Sequence, residues 1–190
     1  MAIASLLNEL RNYLTDTFAL VDQWFDQPAA LREYRPADLG WTTNEVLAHI
    51  GLTNHYLLIL IQKGTTKALA NTQGRDLAAE LATYQFPREK LAAIGVLHAF
   101  DWVRPAHMEP HHNQLPLPAI RQQLRDQLVQ ALGYLNQLTN GEGLLYQTTM
   151  SVNNIGKLNV YEYCYFLAQR ARRHLTQMQE NTDEFSAAVA

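Results

Sequence analysis

Apolar residues recur at every third or fourth position in four long stretches of the chain, the spacing of one helical face turned toward a core. Ile3 to Phe25 puts Leu6, Leu7, Leu10, Leu14, Phe18 and Val21 on one stripe. Thr42 to Gln62 repeats the pattern with Val46, Leu47, Ile50, Tyr56, Leu57 and Ile61, and Thr42 or Thr43 ahead of Glu45 marks its N-cap region. Pro118 to Leu138 carries Ile120, Leu124, Leu128, Leu132 and Leu135 behind a proline suited to the first turn of a helix. Asn159 to Gln179 carries Tyr163, Phe166, Leu167, Ala171, Leu175 and Met178. No stretch alternates as a strand would. The pattern predicts an all-α fold, a four-helix bundle.

The segments between these helices predict long crossover connections. Gly64 to Arg75 is polar and contains glycine, so it reads as a loop. Asp76 to Phe100 reads as one or two extra short helices interrupted at Pro87. Asp101 to Pro118 holds four prolines and three histidines, which suits a turn-rich crossover or a flap over the bundle. Gly141 to Leu158 holds three glycines and the polar run Ser151-Val152-Asn153-Asn154, a second long loop. With two long crossovers the helices need not follow simple up-and-down order.

Composition narrows the classes. At 190 residues the chain predicts a single bundle domain over 1–190 with enough length to bury its own core. A formal net charge of −3 and the lack of a basic stripe argue against general affinity for nucleic acid. No apolar run approaches a membrane span, and the first eighteen residues carry Glu9, Arg11 and Asp16 rather than a signal sequence, so a cytoplasmic protein with no membrane partner is expected. The single cysteine, Cys164, lies among Tyr163, Tyr165 and Phe166 and reads as a buried thiol.

Seven histidines invite a metal reading. His49 lies in the second long helix and His174 in the last, where facing side chains could converge. A lone helical histidine is by default a satisfied core residue. His55, His98, His107, His111 and His112 read as solvated positions, and Pro110 keeps His107 and His111 off one helical face.

Two motifs then carry a resemblance. Gly40-Trp41-Thr42-Thr43-Asn44-Glu45-Val46-Leu47-Ala48-His49-Ile50 resembles the opening of the second helix in the DinB-like superfamily of damage-inducible-type metalloenzymes. Phe166-Leu167-Ala168-Gln169-Arg170-Ala171-Arg172-Arg173-His174 with Gln177 resembles that family's last helix, in which a phenylalanine precedes two histidines one turn apart and a glutamine. Arg104 to Pro110 and Thr149 to Asn153 resemble further segments of one branch. The resemblance implies a four-helix bundle of unusual connectivity, often a homodimer, with nickel or zinc held by three histidines. His49 takes the first ligand position and His174 the third. The middle position is Arg170.

That arginine changes the expected chemistry. A guanidinium has five donors and no acceptor, so it cannot ligate. At about 5 Å and an effective dielectric near 20 it repels a divalent ion by on the order of 6 kcal/mol. Glu45, one turn before His49, is a candidate third ligand, and two histidines with a carboxylate can form a catalytic zinc set. Three functions follow: a metal-assisted hydrolase or thiol transferase using His49 and His174, a non-catalytic module that binds a small anion through Arg170 and Gln177, or a dimeric scaffold whose Tyr161, Tyr163 and Tyr165 serve packing and self-association. A structural ion pair of Arg170 with Glu45 or Glu162 is the plainest alternative. Arg172 and Arg173 read as surface residues off the site face.

Overall fold

The computed structural model describes residues 2–99, 108–110, 115–150 and 155–189. His107, His111, His112, Arg104 to Ala106 and Ser151 to Asn154 lie outside them. Four long helices carry the architecture: α1 (Ile3–Gln23), α3 (Thr43–Ala70), α6 (Leu117–Gln137) and α7 (Val160–Val189). Three short ones, α2 (Ala29–Arg32), α4 (Leu77–Thr83) and α5 (Arg88–Ala92), fill the connections. The break between α4 and α5 includes Pro87, as the sequence predicts.

Each long helix buries the stripe its periodicity defines. Leu6, Leu7, Leu10 and Leu14 of α1, Val46, Leu47, Ile50 and Ile61 of α3, Leu124 and Leu135 of α6, and Phe166 and Met178 of α7 all lie in one core. Burying a Leu or Ile side chain stabilises the fold by about 1.5–3 kcal/mol. Helix α1 packs on α6 and α7, and α3 packs on the same two. Consecutive helices α1 and α3 therefore take diagonal corners, as do α6 and α7. The expected long crossovers are what allow this order. Among the described residues no helix is long and apolar enough to cross a membrane.

Three expectations need correction. The segment from Gly64 is not a loop: α3 continues to Ala70, followed by a 3-10 turn at Asn71–Gln73. Gly64 is buried, and a Cβ there would stand 3.0 Å from Cγ2 of Val160, so the glycine permits close helix packing rather than breaking the helix. The second loop contains an antiparallel hairpin, β1 (Gln147–Met150) with β2 (Gly156–Asn159), in register Thr148 to Leu158 and Met150 to Gly156. Four-residue strands are too short to display alternation. Helix α7 runs ten residues beyond Gln179, to Val189. Its polar final turns are held by tertiary bonds, with Asn181 donating to the Trp41 carbonyl and Glu184 accepting from the Tyr34 hydroxyl.

Both site-bearing helices are capped reciprocally. Thr42 Oγ1 accepts from the Glu45 N–H, and Glu45 Oε2 accepts from the Thr42 N–H at 2.8 Å. At α7, Asn159 Oδ1 accepts from the Glu162 N–H while Glu162 Oε2 accepts from the Asn159 N–H. These caps satisfy donors at helix starts that bury polar residues.

Cys164 is fully buried, and desolvation pushes its thiol up to about 12. Tyr161, Tyr163 and Tyr165 are buried as well, so they pack the chain's own core rather than lying open for self-association. Tyr161 closes a tight junction: its hydroxyl donates to the Leu138 carbonyl at 2.6 Å and accepts from the Gly143 N–H.

Candidate functional site

His49 and His174 come together inside the bundle. Their ring centroids lie 5.0 Å apart in an edge-on arrangement, with His49 1 % and His174 7 % exposed. Each ring is oriented through Nδ1. The Met108 carbonyl lies 2.6 Å from His49 Nδ1, and a carbonyl can only accept, so that nitrogen carries the proton and Nε2 keeps its lone pair. Gln177 Oε1, 3.0 Å from His174 Nδ1, fixes the same tautomer in the second ring. Trp41 covers His49 from the loop side, ring centroids 4.6 Å apart.

Arg170 stands in the third position. One of its terminal nitrogens, Nη2, lies 3.3 Å from His49 Nε2 and is the donor there. The guanidinium thus takes the lone pair that a metal would use. His174 Nε2 is buried and has no hydrogen-bond partner among the described residues. Burial, reinforced by His49 and by the Arg170 charge, holds the His174 imidazole well below its ordinary pKa, so it is neutral at pH 7.

These groups line a cavity of about 460 Å³ between α7 and the loop that precedes α3. Its floor carries Arg170, His49 and His174, and Gln177 stands one turn further along α7. Arg173 also lines it, giving Nη1 to the Val96 carbonyl, so this residue belongs to the cavity wall and not to an outer face. Arg172 does lie elsewhere, over the Tyr13 ring at 4.5 Å and bonded to Thr17. The rim is acidic, with Asp38, Glu180 and Glu184. The described residues with positive φ other than glycine are Leu39 and His98, and both stand at this mouth, Leu39 between the lining residues Asp38 and Gly40. Strained backbone of that kind collects at ligand sites.

Glu45 is placed differently from the expected ligand role. Its carboxylate is shared between the Thr42 N–H and the Arg35 guanidinium, the latter at 2.7 Å. Burial opposes its ionisation, yet Arg35 and the Thr42 bonds bring it below the usual carboxylate range. Glu162 accepts from the Tyr84 hydroxyl and the Asn159 N–H at the start of α7. His55 and His98 are exposed, His98 lying 3.6 Å from Glu180.

The fit to a metal can be tested on this donor set. A three-ligand site needs three lone pairs converging on one point. The cavity offers two imidazole lone pairs and a fixed cation placed against one of them, and among the described residues no group of three His, Cys, Asp or Glu is arranged to hold an ion. These residues do not fit a divalent metal. The lining residues Asn181 and Glu184 are not marked in the sequence, because they lie outside any apolar stripe.

Comparison with known proteins agrees with the all-α fold. A family model, that of the DinB superfamily, matches residues 9–178. No curated protein and no solved structure matches the chain.

Proposed function

The chain belongs to the DinB superfamily, and from that premise we propose that it binds a small anion, a carboxylate or a phosphate, through Arg170. The reading rests on one observation: the Arg170 guanidinium lies against His49 Nε2 on the floor of the cavity, where the family's motif has a metal ligand. A half-buried guanidinium beside two imidazoles is a positive charge set into the cavity lining. It presents paired N–H donors that match the two oxygens of a carboxylate or phosphate. Gln177, whose Oε1 accepts from His174, turns its NH₂ group away as a further donor. Arg173 adds a second positive charge to the wall.

The anion replaces the metal in this account, so neither hydrolysis nor thiol transfer through a bound ion follows from these residues. The test is thermal stabilisation by propanoate and by inorganic phosphate. Either anion should raise the melting temperature of the native chain in a saturable way, and Arg170→Met should remove the effect. Equal stabilisation of native and variant protein would defeat the reading. Metal analysis of protein purified without an affinity tag supplies the second arm: zinc or nickel at one equivalent per chain would favour the metalloenzyme instead.

A further inference from the structure

We infer that the cavity selects anions that carry their own hydroxyl beside the charge, in chemical terms 2-hydroxycarboxylates; this deepens the anion-binding reading and rests on it. The observation is the mismatch between the two groups on the cavity floor. Arg170 can only donate. His174 can only accept at Nε2, because its Nδ1 proton is committed to Gln177. That Nε2 lone pair lies in a side chain 7 % exposed, lines the cavity region and meets no donor among the described residues.

A simple carboxylate satisfies only half of this arrangement. Its oxygens accept from Arg170, but they bring no donor to His174, and two sets of lone pairs then face one another. A hydroxyl on the neighbouring carbon supplies the missing donor. The spacing suits it: Arg170 and His174 are one helical turn apart on the same face of α7, both heads meet around the His49 ring, and the two imidazole centroids lie 5.0 Å apart. The Arg170 stem is long enough for its head to lean toward an entering carboxylate and open the way to His174. A 2-ammonium group would also donate, but it would place a positive charge beside Arg170 and Arg173. The Trp41 ring offers the ligand carbon a flat apolar wall.

Calorimetric titration with lactate, propanoate, 2-methoxypropanoate and alanine decides the matter. Lactate should bind about tenfold more tightly than propanoate, the worth of one satisfied hydrogen bond. Methylating the hydroxyl should abolish that advantage, and alanine should bind more weakly than lactate. In His174→Phe the lactate-to-propanoate ratio should fall to about one. If propanoate, lactate and the ether bind the native chain equally, this inference fails and anion binding stands. If none of the four binds, the anion-binding reading fails and takes this inference with it. The native series is decisive even if the variant does not fold.

Discussion

Arg170 gives its Nη2 hydrogen to the Nε2 lone pair of His49 across 3.3 Å, so a charge carried by the protein stands where a bound ion would otherwise draw the imidazole. The consequence can be tested by reversing it. Arg170→His would place a third imidazole one turn from His174 and remove a repulsion on the order of 6 kcal/mol, comparable to about four decades of affinity. The variant should take up zinc or nickel at one equivalent by elemental analysis after dialysis, while the native chain does not. Metal at equal occupancy in both proteins would show that Arg170 does not control the site.

His174 predicts a particular response to acid. Its folded pKa is depressed by burial, so below the ordinary value of 6.5 the unfolded chain takes up a proton that the folded chain refuses. Stability from this residue is therefore constant above that pH and falls as the pH drops below it, by about 1.4 kcal/mol per unit. Urea unfolding at pH 7.5 and pH 5.0 should show a loss in the native protein about 2 kcal/mol larger than in His174→Phe. Parallel losses in the two proteins would contradict a neutral buried imidazole.

The cluster of Arg121 and Arg125 with Asp22 and Asp26 ties α6 to the C-terminal end of α1. Arg121 reaches Asp22 at 2.7 Å and Asp26 at 2.7 Å, and Arg125 reaches Asp22 at 3.0 Å. The hydrogen bonds from Arg121 hold the Asp22 carboxyl far below its ordinary value, against a smaller opposing effect of burial. A depressed carboxyl contributes fully above its unfolded value and progressively less as pH falls below it. Arg121→Leu should cost about 1–2 kcal/mol at pH 7, after allowing for partial exposure. The gap should be unchanged from pH 8 to pH 5 and should narrow below about pH 4 in chemical unfolding.

Tyr161 holds two backbone groups in the α6–α7 crossover. Tyr161→Phe would leave the Leu138 carbonyl and the Gly143 N–H without partners in a buried place, at a cost of about 2 kcal/mol. Tyr163→Phe, which loses only a 3.3 Å bond to the Thr148 carbonyl, should cost less than about 1 kcal/mol. Gly143→Ala should be harmful too, because its Cβ would come within 2.7 Å of the Tyr161 ring. Denaturation midpoints of the three variants check the order.

The bundle was legible in the sequence because four stripes of leucine, isoleucine and aromatic residues state which face is buried. The ends of the helices were harder. Gly64 looks like a breaker until the neighbouring Val160 is seen against it, and nothing local to residues 180–189 announces that Asn181 and Glu184 find partners in a distant loop. At the site, His49, Arg170 and His174 could be aligned from two motifs read together. Glu45 illustrates a competing signal: the Thr42-x-x-Glu45 spacing is a capping box, and that local duty, with Arg35 beside it, accounts for the carboxylate better than a ligand role does. The Nδ1 partners, Met108 and Gln177, decide which nitrogen of each ring faces the cavity, and for Met108 no sequence spacing reveals it.

The final turns of α7 also separate two things that a motif search joins. The family match closes at residue 178, while Asn181 and Glu184, which fasten Trp41, Tyr34 and Ala37 to the cavity wall, come afterwards. Two residues that hold the entrance in shape therefore lie beyond the stretch that shows the chain's ancestry, while their partners Trp41, Tyr34 and Ala37 lie within it. Substitutions at Asn181 or Glu184 can thus reshape the entrance while leaving His49, Arg170 and His174 as they are.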